Sequence, residues 1–242
     1  MTEEEWNTGP APRKLLEHLE ECKGASERKL RLFAVACCRR VQRWFIDPAQ
    51  HGAVEVLEGF ADGRFGADEL SSAMLGVQDI DELDLRLSED GNSDTDTDSL
   101  DAKYHAAQLI SQATSIDQPG DGNPTLFHRA HDVVMNTVDV AGYAADRSLP
   151  AQAAERHALC ELVRCIFGNP FRPVAFVPSW RIETAVALAT GIYEDRAFDR
   201  LPILADALEE AGCDNADVLT HCRGPGPHAR GCWVVDGVLG KS

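Results

Sequence analysis

The chain contains no apolar run of the roughly 18–20 residues that a helix needs to cross a bilayer. Its start, Met1-Thr-Glu-Glu-Glu-Trp6, is acidic where a secretory leader carries positive charge before an apolar stretch. Those absences make a cytoplasmic location the expectation and leave out the membrane as a partner. A Gly-rich phosphate loop, a Gly-x-Ser-x-Gly elbow and a His-Glu-x-x-His helix are all missing, so the usual marks of enzymes are lacking. Cationic residues are scarce: 23 Lys and Arg stand against 40 Asp and Glu, a formal charge of −17. Such a surface repels polyphosphate backbones and disfavours nucleic acid as a partner.

Sustained period-2 alternation is absent as well, and what takes its place is helical. Apolar residues recur at helical spacing in Leu30, Phe33, Ala34, Cys37, Cys38, Val41, Trp44 and Phe45, behind a Ser26 cap and ahead of Asp47-Pro48. Similar patterns predict helices near 13–22, 49–62, 67–77, 100–115, 125–147, 150–167, 180–192, 196–211 and 214–222. Gly212 is expected to close one of them in a left-handed turn. Gly168 to Pro178 is too rich in proline for a helix or a central strand and reads as an extended segment across the surface. The expectation is an all-α, bundle-like single domain over 1–242.

Charge is unevenly spread along the chain. Residues 79–101 hold ten acidic residues against Arg86, whereas 23–43 hold seven basic residues against Glu27. The stretch 86–99 lacks the apolar residues needed to offset its ordering entropy and reads as a flexible acidic insertion. Its Asp94-Thr-Asp96-Thr-Asp98 lacks the Gly and Glu that a calcium loop requires at its sixth and twelfth positions.

Disulfide scaffolds are usually short and dense in cysteine, whereas here Cys37, Cys38, Cys160 and Cys165 fall inside apolar helical patterns, so the eight cysteines read as reduced thiols. Three others gather near the C-terminus. Cys213-x8-Cys222-x5-His228-x3-Cys232 has the intervals of a CCCH zinc finger with its last two ligand types exchanged. Two readings stand. The first is a buried, metal-free clasp that pins Cys232-Trp-Val-Val onto the bundle, so that no cofactor is expected. The second is a closed structural zinc site of Cys213, Cys222, His228 and Cys232. His128-Arg-Ala-His131-Asp132, with His105 and Asp195 or Asp199, offers a third constellation of the kind that HD phosphohydrolases use. A single His-Asp dipeptide among eight histidines is what chance supplies.

Several segments resemble a family of bacterial proteins abundant in planctomycete-type genomes. They are Thr2 to Trp6, Arg28 to Arg40, Phe167 to Pro173, Asp199 to Cys213 and His221 to Lys241, including Arg230-Gly-Cys-Trp-Val-Val-Asp236. The resemblance implies that the two ends form one module and brings no activity with it. The leading functional expectation is a non-enzymatic protein-interaction or scaffold module, with Arg39, Arg40 and Arg43 as contact residues. A structural zinc protein in contact with nucleic acid and a metal-dependent helical hydrolase are the alternatives.

Overall fold

The structure, a computed structural model, describes residues 1–75, 77, 97–114 and 126–241. Among them are twelve α-helices and no strand: α1 (Glu3–Thr8), α2 (Pro12–Glu21), α3 (Glu27–Val41), α4 (Pro48–Ala61), α5 (Ala67–Leu75), α6 (Thr97–Thr114), α7 (Leu126–Tyr143), α8 (Leu149–Phe167), α9 (Glu183–Asp195), α10 (Leu201–Glu210), α11 (Ala216–Arg223) and α12 (Trp233–Leu239). The all-α expectation holds. The acidic stretch at 86–99 lies outside the described residues up to 96, and its last three residues already belong to α6.

Local chemistry sets most helix starts. Thr2, Ser26, Asp47, Ser148 and Asn215 each accept a hydrogen bond from a backbone N–H of the turn they open, satisfying donors that have no partner within the helix. The helix predicted from 26 to about 46 ends earlier, at Val41, and passes into a 3-10 turn, Gln42–Trp44. Gln50 explains the break. Its side-chain oxygen accepts from the N–H groups of Ile46 and Asp47 at 2.8 and 3.2 Å, fixing a capped entry into α4 where α3 would otherwise continue. Asn215 caps α11, its side-chain oxygen accepting from the Val218 N–H. Gly212 has φ +86, the left-handed geometry its position after α10 predicts.

Two apolar cores result. In the first, α3 runs through the middle, with Leu30, Phe33, Ala34, Cys37 and Cys38 buried among α4, α6, α7 and α8. The second gathers α9 to α12 around Ile192, Leu204, Leu208, Val218 and Val234. Helix α8 serves both: Leu159, Val163 and Ile166 lie in the first core and Cys165 in the second. The extended Pro-rich segment crosses the outside, stacking Phe171 on His18 and setting Phe176 edge-on to Trp180 and Trp233.

Buried ion pairs join the cores. The Arg28 guanidinium reaches Asp62 at 3.1 Å and Asp236 at 2.8 Å and donates to the Tyr193 hydroxyl at 2.7 Å, while Tyr193 donates to Asp62 at 2.5 Å. Burial raises the Asp236 carboxyl, and the two Arg28 donors oppose that rise. A second knot centres on Glu58, whose side chain is 2% exposed and which takes Arg39, Arg196 and Arg230 on one oxygen.

Candidate metal centre

Four side chains converge where the last turn of α8 meets the second core. Cys165, His221, His228 and Cys232 each present one ligand atom, and these atoms all lie within 4.8 Å of one another. Each arrives from a different piece of backbone. Cys165 projects from a rigid helix, His221 from the last turn of α11, and His228 from the Gly-Pro loop that follows. Cys232 is the N-cap residue of α12, reached through Gly231 at φ +89, a backbone geometry that favours glycine.

The pair geometry is specific. His221 Nε2 lies 3.2 Å from Cys232 Sγ, and His228 Nδ1 lies 3.6 Å from Cys165 Sγ. The other ring nitrogen of His228, Nε2, faces the Gly224 carbonyl at 3.3 Å and donates to it, leaving the Nδ1 lone pair turned toward the sulfurs. Nearby, Lys29 donates from Nζ to the Ile166 carbonyl at 2.7 Å, and burial lowers its pKa against the opposing pull of Asp236 and Cys232.

Charge is shared unequally across the group. Cys165 donates to the Cys232 sulfur, and that bond together with burial holds its thiol well above the ordinary value. Burial would raise Cys232 too, but the Cys165 donor and the two imidazoles outweigh it and hold this thiol well below the ordinary range. For His228 burial favours the neutral ring, yet the Cys232 sulfur and the Gly224 carbonyl prevail and raise it. Two buried sulfurs and two half-buried imidazoles are donors that could hold a metal ion.

Of the ligands expected from sequence, His228 and Cys232 belong to this group, whereas Cys213 and Cys222 do not. The reason lies in α11. Neighbouring residues on a helix point about 100° apart, so when His221 faces Cys232, Cys222 turns away into the core formed with Val218. Cys222 is fully buried, and its thiol is raised by that burial. Cys213 sits before the Asn215 cap, buried against the same core. The places of both are taken by His221 and Cys165. No spacing signal reaches Cys165, which precedes His221 by 56 positions and reads as one more apolar helix residue. His221 was within reach, being the other soft ligand on the α11 segment.

The remaining candidates lie elsewhere. Arg39 pairs with Glu55 and Glu58, and Arg40 clamps Glu155 with two nitrogens, so both are engaged within the molecule. Arg43 lies exposed over the Trp44 ring. His105 stacks on Tyr143 and meets Asn136 at 3.2 Å, His131 is half-buried on α7, and His128 is exposed. Among the described residues neither these histidines nor Asp132, Asp195 and Asp199 form part of a converging ligand group. No helix among the described residues is long and apolar enough to cross a membrane. Comparison with known protein families, with curated proteins and with solved structures finds no match for this chain.

Proposed function

We propose that this chain is a structural zinc protein, in which Cys165, His221, His228 and Cys232 hold one Zn²⁺ that fastens the C-terminal segment to the helical bundle. The observation that carries the reading is the mutual approach of four soft donors within 4.8 Å. A tetrahedral zinc with nitrogen at about 2.0–2.1 Å and sulfur at about 2.3 Å spaces its ligands roughly 3.3–3.8 Å apart. The 3.2 and 3.6 Å pairs stand close to that range. The His228–Gly224 bond adds support, because ligating imidazoles generally donate their second N–H to a carbonyl or carboxylate.

Four protein donors complete a tetrahedral shell and leave no position for water, which fits a structural role rather than a hydrolytic one. Bound zinc would supply cross-linking free energy between α8, α11 and α12, three elements that the chain brings together from distant positions. Two thiolates would balance the charge of the ion.

Elemental analysis of untagged protein, purified under reducing conditions, should return about one zinc per chain. Cys165→Ser and His221→Ala should each abolish that content. Cys213→Ser should retain it, which separates this ligand set from the one that spacing suggests. Less than about 0.1 zinc per wild-type chain, or equal loss in the Cys213 variant, would sink the reading.

A further inference from the structure

A second site lies against the Gly-Pro loop. A cavity of about 180 Å³ opens there between α3, α4 and the loop that carries Arg230, with Arg39, Arg40, Arg196, Arg230 and Glu58 in its wall. One oxygen of Glu58 accepts from Arg39 at 3.1 Å, from Arg230 at 2.7 Å and from Arg196. Glu55 takes Arg39 and Arg196 again, at 3.0 and 2.9 Å. Three guanidinium groups therefore share two carboxylates and keep a charge of +1, while Arg40 and Glu155 cancel. In a chain of net charge −17 this is a local reversal of sign.

Bond accounting points the same way. Arg39 Nε and Arg196 Nε are buried with no hydrogen-bond partner, so the cluster has more donors than acceptors. The arginines are also fixed in place. Arg230 is anchored by bonds from Nε and one terminal nitrogen to the Tyr193 and Glu194 carbonyls, both 2.7 Å. Arg196 adopts φ +53, a left-handed geometry that costs a non-glycine residue of the order of 1 kcal/mol and here aims its guanidinium at Glu58. Preorganised cations around a concave space suit an anion with several acceptor oxygens.

We propose that this cavity binds a small tetrahedral oxyanion of the phosphate type, free or as a small monoester, through Arg39, Arg40, Arg196 and Arg230. A carboxylate offers two acceptor oxygens, whereas a tetrahedral oxyanion offers one to each of four guanidinium groups. His228, a ligand on the zinc reading, also lines the cavity, but none of the four arginines that would hold the anion is a metal ligand.

Calorimetric titration of the full chain with inorganic phosphate, against sodium chloride of matched ionic strength, tests this. One saturable site is expected, with Arg196→Gln and Arg40→Gln each weakening it about tenfold or more, the loss of a charge-assisted bond. The Arg40 variant leaves the Glu58 knot untouched and keeps the test decisive if Arg196→Gln fails to fold by circular dichroism. Glycerol 3-phosphate binding as well as phosphate would assign a monoester; phosphate binding alone would assign the free ion. Heat no larger than that of chloride, acetate binding equal to phosphate, or an Arg40 variant that binds like wild type would overturn the proposal.

Discussion

Glu58 shows how much one residue can organise. Its carboxylate is buried beneath three guanidinium groups drawn from α3, the end of α9 and the loop before α12. Removing the charge while keeping the shape leaves those cations facing one another in a poorly hydrated space. Glu58→Gln should therefore destabilise the fold by about 3 kcal/mol, the lower end for a broken buried pair because the arginines are partly solvated. Chemical denaturation checks this; a loss below about 0.5 kcal/mol, as for an exposed pair, would contradict it. At this scale the sequence is only partly legible. Glu58 reads as one polar position on an apolar helix, and nothing local announces that Arg230, 172 positions later, will reach it. The same holds for Cys165. It shares an apolar helical pattern with Leu162, Val163 and Ile166, and its chemistry exists only because α11 and α12 fold back onto it.

Elements were far easier to read, because their causes are local. The Ser26 cap and the apolar stripe behind it define the start of α3, the Asp47-Pro48 pair starts α4, and Gly212 closes α10. The two helices with no expectation, α1 and α12, are short. Without a sustained stripe they rely on tertiary partners: Trp6 is buried under α8, where Arg164 bonds its carbonyl, and Trp233 packs against Phe176. The start of α12 depends on Gly231. A Cβ there would stand 3.1 Å from Leu32 Cδ1 on a backbone at φ +89. Gly231→Ala should cost about 1–3 kcal/mol through strain and, by displacing Cys232, should weaken zinc retention against a chelator. Retention equal to wild type, with the stability loss present, would mean that Cys232 is not held by this turn.

For the whole molecule, the decisive feature is that two apolar cores meet along α8 and are joined by three polar devices: the Arg28 knot, the Glu58 knot and the cysteine–histidine group. The first two are ion pairs that require no metal. The third, on the zinc reading, is a cross-link whose strength depends on the ion. The first core draws its burial from long helices packed around α3 and should survive the loss of that cross-link. The segment from Gly224 to Leu239 is different: its Gly-Pro loop has no fully buried residue from 224 to 230, and the seven-residue helix that follows buries Val234, Val235 and Val238 alone among its apolar side chains in the second core. Opening free energies within one protein can range from near zero up to the global value, and segments with little burial open first. Chelation of the metal under reducing conditions should therefore speed amide hydrogen exchange in residues 224–239 and in the last turn of α11, with α3 and α4 slowed as before. Acceleration spread evenly over the chain would show one cooperative unit with no separate clasp. Unchanged exchange in 224–239 after verified zinc removal would show that the ion pairs alone hold the two cores together.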